Sequence, residues 1–277
     1  MLAIPEAMTV QAHAAAHKVA GVRAPLRFIV SGMLAGAFVG VAVVLMVTTA
    51  GPLLAEGSGS VKLVSGAVFG VALTLVVFAG GELSTSSMMT LTQGTLMRAV
   101  RVLPASGTLL LTFVSNLLGA LVFGALVSAS GILHSNAPAG EMLKTMLEAK
   151  AHEGVAELFV RGILCNALVC LAIWMCARLT SDGAKLVVIF WALLAFIASG
   201  FEHVVANMTT YAIGITSGYD GATWALFGHN LLWVGLGNLV GGALLIGTAY
   251  WFVAGSPRQP VDAKDDVEIG IRTPATP

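Results

Sequence analysis

Glu202 and His203 stand side by side inside an apolar run that extends from Ala184 to Ile215. A charged side chain at the centre of a membrane-length segment costs about 2.5–3.5 kcal/mol even on the mildest insertion scales. Such groups therefore face a cavity or a partner and mark a pathway. Gly200 comes just before the pair, where a helix can be interrupted. A buried histidine behind a helix break is thus the first candidate site.

The rest of the chain fits that setting. Of its 277 residues 57% are hydrophobic and 10% charged, with a mean hydropathy of +0.90. An ordinary soluble domain carries about 25% charged residues, so the expected class is an all-α membrane protein. The formal net charge is zero, and the basic patches that nucleic-acid binding needs are absent. Cys165, Cys170 and Cys176 share one apolar run. Their odd number and wide spacing suit neither a disulfide framework nor a metal site, so they read as small buried hydrophobes. No cofactor is called for.

In chain order, residues 1–27 form a polar, alanine-rich segment without the continuous apolar core of a signal peptide. It reads as a short amphipathic helix on the membrane surface, with His13 and His17 as solvated residues. A transport-sized domain then spans residues 28–253. Its first span, about 28–54, carries Gly32, Gly36 and Gly40 on one face, which lets another helix approach closely. The second apolar stretch, about 61–97, is far longer than the roughly 20 residues one span needs. In its middle lie Gly80, Gly81, Glu82 and four hydroxyl residues, Ser84 to Ser87. Backbone that leaves helical geometry at this depth must be buried in protein or line a cavity, so this stretch reads as a broken helix. A third span covers about 108–130. A polar connection, 132–154, leads to a fourth at about 158–179, the broken fifth at 184–215 and a sixth at about 229–253. Residues 254–277, with four prolines and mixed charges, read as a disordered tail.

The landmarks repeat. Glu82 is followed by Asn116 in an Asn-Leu-x-Gly motif, and Glu202 is followed at nearly the same distance by Asn238 in another. Three spans per half make the second half inverted relative to the first. Matching broken helices in an inverted repeat point to a transport site at the midplane. Glu82 and Glu202 are expected to accept from free N–H groups at half-helix starts, and Asn116 and Asn238 to bond between helices. With the N-terminus inside, ten of the fourteen basic residues fall on the inner side, which predicts both termini in the cytoplasm and an inner-membrane protein.

Other classes are weaker. A zinc peptidase would want His-Glu-x-x-His on a helix, whereas the order here is Glu202-His203. An intramembrane hydrolase would pair His203 with one of Ser84, Ser86 or Ser87, yet the nucleophile turn Gly-x-Ser-x-Gly is missing. A neutral-solute channel for water or glycerol would share the broken halves but carry an Asn-Pro-Ala pair, which this chain lacks. A scaffold needs no pair of broken helices at a histidine.

Glu-Leu-Ser-Thr at 82–85, Gly-Ile-Leu-Cys-Asn at 162–166, Leu-Ala-Ile-Trp-Met at 171–175, Ala-Ser-Gly-Phe-Glu-His-x-x-Ala-Asn-Met at 198–208 and Gly-Asn-Leu-Val-Gly-Gly at 237–242 together resemble the formate/nitrite transporter family. The Ala-Asn-Met-Thr continuation at 206–209 leans toward its nitrite channels. The resemblance implies an aquaporin-like protomer of six spans in a homopentamer within the lipid bilayer. Each protomer would have its own pore for small monovalent anions, nitrite or formate. It implies that His203 is the central pore histidine, Thr85 its hydroxyl partner and Asn166 a nearby polar pore residue. By the same resemblance Leu73, Leu83 and Phe196 match the inner and central constriction, Phe69 the outer one, and Lys150 the lysine at the outer mouth. Ser84 departs from the pattern, standing where many members have phenylalanine. The implied mechanism excludes bare anions by the cost of desolvation and passes a weak acid in its neutral form, with His203 donating a proton or a hydrogen bond.

Overall fold

The computed structural model describes residues 1–258, and the expected tail beyond Arg258 lies outside them. The described residues form helices and short connections, with no strand. Helix α1 is Ile4–Gly21, and α2, Pro25–Ala55, starts with proline at its first position, where the missing N–H costs nothing. Next come α3 (Val61–Phe69), α4 (Val71–Leu75) and a π-turn (Val76–Gly80), which together make one continuous 20-residue helix. It stops at Gly80, whose φ of +82° is open to glycine and strained for other residues, and Gly81 is extended. The chain re-enters helix as α5 (Ser84–Leu96) and crosses back as α6 (Val102–Ala129).

Beyond α6 the expected polar connection is itself helical. It holds α7 (Ile132–Ser135) and α8 (Ala137–His152), the latter buried along Ala139, Gly140, Met142, Leu143 and Leu147 against α2. Its charged residues hid this apolar stripe. Helix α9 is Val155–Arg178, followed by α10 (Asp182–Ala198), a break with Gly200 at φ +75°, and α11 (Val204–Thr216). The last helices among the described residues are α12 (Trp224–Leu239), a π-helical segment (Val240–Thr248) and α13 (Ala249–Val253).

Among the described residues, five helices can cross a membrane by length and composition: Pro25–Ala55, Val61–Gly80, Val102–Ala129, Val155–Arg178 and Trp224–Val253. The expected fifth span is divided into α10 with 17 residues and α11 with 13. Each piece is shorter than the roughly 20 residues of a full span.

The glycine face of α2 lies on α6, as the spacing predicts. A Cβ on Gly36 would stand 2.1 Å from the Asn116 carbonyl oxygen, a backbone atom that can move only if the helices part. Gly36→Ala should therefore destabilise the protein by about 1–3 kcal/mol, read as a lower melting temperature in detergent. Gly228→Ala, on α12 with open space around it, should leave the melting temperature unchanged or raise it slightly. Equal effects of the two would refute the close-packing account.

Helix α1 belongs to the packed body. Ala7, Met8, Gln11, Ala12 and Ala15 are buried, chiefly against α5, and the Gln11 amide oxygen accepts from Thr90 at 2.8 Å. His13, expected to be solvated, is buried, while His17 is exposed. The chain end is pinned as well, since the Leu2 N–H donates to the Arg178 carbonyl and Arg178 Nε donates to the Leu2 carbonyl.

Candidate functional site

Each break leaves polar backbone at the depth of the apolar spans, and each is satisfied by one asparagine. Asn116 accepts from the Ser84 N–H at 2.8 Å and donates to the carbonyls of Gly32 (2.8 Å) and Glu82 (2.7 Å). Asn238 accepts from the Val204 N–H at 2.9 Å and donates to the carbonyls of Gly162 (2.8 Å) and Glu202 (2.9 Å). Both asparagines are fully buried. The carboxylates of Glu82 and Glu202 were expected to take these N–H groups, and they do not. Glu82 is paired with Lys18, while Glu202 accepts from Lys150 Nζ at 2.6 Å and from Asn207 Nδ2 at 2.6 Å. A charge-assisted bond to a lysine is stronger than one to a neutral amide, so the neutral asparagines are left to bridge the helices. Asn207 also donates to Asn230 Oδ1 at 2.8 Å, which extends the buried polar chain from Lys150 onto α12.

His203 is the N-cap of α11. Its Nδ1 accepts from the Ala206 N–H at 3.1 Å, so the ring hydrogen belongs on Nε2, where it donates to Thr85 Oγ1 at 3.0 Å. That bond joins the first turn of α5 to the cap of α11, so the positive ends of the two half-helices meet at this histidine. The ring of Phe196 lies 6.0 Å from that of His203, and Phe69 meets Phe196 edge-on at 5.7 Å. Leu73, Leu83, Phe69, Phe196 and His203 enclose a cavity of about 10 Å³, room for about one water.

Wider cavities flank this bottleneck. One of about 370 Å³ reaches His203 from the Glu202 side and is lined by Lys62, Lys150, Glu153, Arg161 and Glu202. Another, of about 570 Å³, lies on the Glu82 side among Lys18, Gln11, Ser31, Ser86 and Thr90. A larger cavity of about 670 Å³, near Ser128, His134 and Tyr219, touches none of the site residues.

Lys150, proposed for a mouth, is therefore held by Glu202, and its side chain is only 10% exposed. Glu153, at the start of α9, pairs with Arg161. Burial, and then the charge of Glu202, push the Glu153 carboxyl above the usual carboxylate range, although Lys150 and Arg161 pull the other way.

Asn166 lines neither of the cavities that meet at His203. Its Nδ2 donates to the carbonyls of Thr85 (3.1 Å) and Asn238 (2.7 Å), which ties it to the backbone of both halves. The serines are turned elsewhere. Ser86 and Ser87 donate to the Leu83 carbonyl, and among the described residues no serine hydroxyl is bonded to His203. The Ser84 hydroxyl is buried without a partner.

Sequence reasoning missed Lys18, Asn207, Asn230, Glu153 and Arg161 as parts of the site. Asn207 was the one with a usable signal, a polar residue one helical turn beyond His203 inside an apolar half-helix.

The model of the family described as "Formate/nitrite transporter" matches residues 5–252. The chain is 43% identical over 243 residues to the nitrite transporter NirC of Escherichia coli K12, covering 87% of this chain and 88% of that one. A solved structure described as an FNT family ion channel superposes with a TM-score of 0.82 at 40% identity, over 89% of this chain and 98% of that one. A pentameric formate channel with formate bound gives a TM-score of 0.70 at 26% identity, over 84% and 98%.

Proposed function

The chain belongs to the formate/nitrite transporter family, and from that premise we propose that it is a channel for small monovalent weak-acid anions, nitrite first and formate second. It is a membrane transport protein and not an enzyme. The observation that carries the reading is the bottleneck itself. A histidine closes an apolar ring of Phe69, Phe196, Leu73 and Leu83 between two wider cavities that each carry charged residues.

In this reading the protomer has six spans in a 3+3 inverted, aquaporin-like arrangement, with the second and fifth broken. The equivalent bonds of Asn116 and Asn238 support it. Both termini are cytoplasmic in the inner membrane, so Lys18 and Glu82 face inward and Lys150 and Glu202 face outward. The pentameric relative supports a homopentamer.

Desolvating a bare anion in the apolar ring is far more costly than passing the neutral acid. The half-helix ends gather negative charge at the Thr85–His203 bond without a fixed cation. His203 supplies a hydrogen bond from its Nε2–H, and the proton of the neutral acid comes from the outer solution. Asn166 acts through the backbone of Thr85. Glu82, Glu202, Asn116 and Asn238 hold the breaks.

Proteoliposomes containing the purified protein test this directly. Nitrite should enter well above the rate of protein-free vesicles, formate should compete with it, and chloride should be excluded. Nitrite and formate rates equal to those of empty vesicles, with correctly folded protein, would sink the proposal.

A further inference from the structure

The cavity on the Glu202 side has more positive charge than Lys150 accounts for. Lys150 gives both of its short contacts to the Glu202 carboxylate and is nearly enclosed, so its field beyond that pair is largely cancelled. Arg161 and Lys62 line the same cavity. The side chain of Arg161 is 40% exposed, its one ion pair is with Glu153, and its main-chain carbonyl receives the Glu202 N–H at 3.3 Å. Its backbone therefore sits beside the break, and its cation, in the same cavity, is still open to solvent. Lys62 is exposed at the start of α3. Three cations face two carboxylates across this cavity, so one positive charge stays uncompensated.

From this geometry we infer that Arg161 and Lys62, and not Lys150, draw anions into the outer vestibule, with Glu153 setting how much of the Arg161 charge is felt there. The inference rests on the transport reading above and adds which residues gather the substrate. A vestibule lined by one excess charge raises the local concentration of a counter-ion, and salt screens the effect.

Glu153 makes the collection pH-dependent. The groups that bear on it are Glu202, Lys150, Arg161 and Glu157. One carboxyl oxygen pairs with Arg161, and the other, Oε2, is buried with no hydrogen-bond partner. A buried oxygen without a donor favours the protonated acid. As the outer pH falls through the raised range of this carboxyl, Glu153 loses its charge. Arg161 is then uncompensated and the vestibule becomes more positive. Glu153→Gln imitates that state at neutral pH.

The test is nitrite uptake into proteoliposomes across a concentration series, at two ionic strengths and two outer pH values. Arg161→Gln and Lys62→Gln should each raise the half-saturating nitrite concentration about three- to tenfold at low salt, with the maximal rate unchanged. The effect should shrink at high salt. Glu153→Gln should lower the half-saturating concentration relative to the unmodified protein at neutral outer pH, and the difference between the two should vanish at acid pH, where Glu153 is itself protonated. Comparing variants at the same pH cancels the protonation of nitrite itself. Lys62 is exposed and makes no ion pair among the described residues, so its variant remains informative even if Arg161→Gln folds poorly. If the unmodified protein conducts and Lys62→Gln leaves the half-saturating concentration within about twofold at low salt, this inference is overturned while the channel reading stands. If the unmodified protein does not conduct, both fall.

Discussion

Alanine in place of His203 is expected to reduce protein-mediated nitrite flux about ten- to a hundredfold. Among the described residues that line the bottleneck, this imidazole is the one hydrogen-bonding side chain. A hydrogen bond to a charged group is worth about 1.5–3 kcal/mol, and each 1.4 kcal/mol is a factor of ten in rate. The substitution also removes the cap of α11, because Nδ1 accepts from the Ala206 N–H. That loss costs about 0.5–2 kcal/mol of stability, so alanine alone mixes two effects. His203→Asn separates them. A carboxamide still caps a helix well, but it is shorter than the imidazole and falls short of the Thr85 hydroxyl. The asparagine variant should melt near the parent temperature and conduct as poorly as alanine. Full flux through a folded alanine variant would remove His203 from the pathway.

Asn238→Ala should be the most destabilising single change in the molecule, at about 3–5 kcal/mol. A lone interhelical hydrogen bond in a membrane contributes only about 0.6–2 kcal/mol, because the separated helices find other partners. Asn238 makes three, and all of them go to backbone groups. Two of these groups, the Val204 N–H and the Glu202 carbonyl, flank a break and lack the usual helical partner. Removing the side chain leaves these two buried without a partner and takes the interhelical bond from the Gly162 carbonyl, which sits inside α9. Asn238→Asp should be about as harmful, since a carboxylate keeps the acceptor but turns oxygen against two carbonyls. The measurement is thermal unfolding of the detergent-solubilised protein, and Asn116→Ala should behave alike at the other break. A loss below 1 kcal/mol at both positions would show that the breaks are held by something else.

Much of this arrangement is written locally in the sequence. Gly80-Gly81 and Gly200 announce the breaks because glycine and buried polar residues inside an apolar run have few other uses. The matching distances from Glu82 to Asn116 and from Glu202 to Asn238 announce which side chains meet them. The glycine spacing in α2 announces its close contact with α6. What stayed hidden depends on three-dimensional meeting points. Lys150 and Glu202 are 52 residues apart, and Lys18 and Glu82 are 64 apart. No periodicity connects either pair, and so the glutamates were assigned to backbone N–H groups that the asparagines take. Helix α8 was hidden because Glu141, Lys144 and Glu148 interrupt its apolar stripe in the sequence, and Lys150 on its buried side is matched only by a distant glutamate. The π-helical segment at Val240–Thr248 left no mark beyond a cluster of glycines. Thr85 and His203, 118 residues apart, were linked only by the family resemblance. His13 read as solvated because a polar, alanine-rich helix does not reveal that it will be enclosed by α5, α6 and α9.

The central claim is that the anion crosses the ring of Phe69, Phe196, Leu73 and Leu83 as its neutral acid. Nitrite and proton uptake measured together, in vesicles loaded with a pH-sensitive dye and corrected for protein-free vesicles, tests it most directly. The account predicts one proton entering with each nitrite, without net current. Nitrite entering through the protein as a net negative current, with no acidification of the interior, would contradict it.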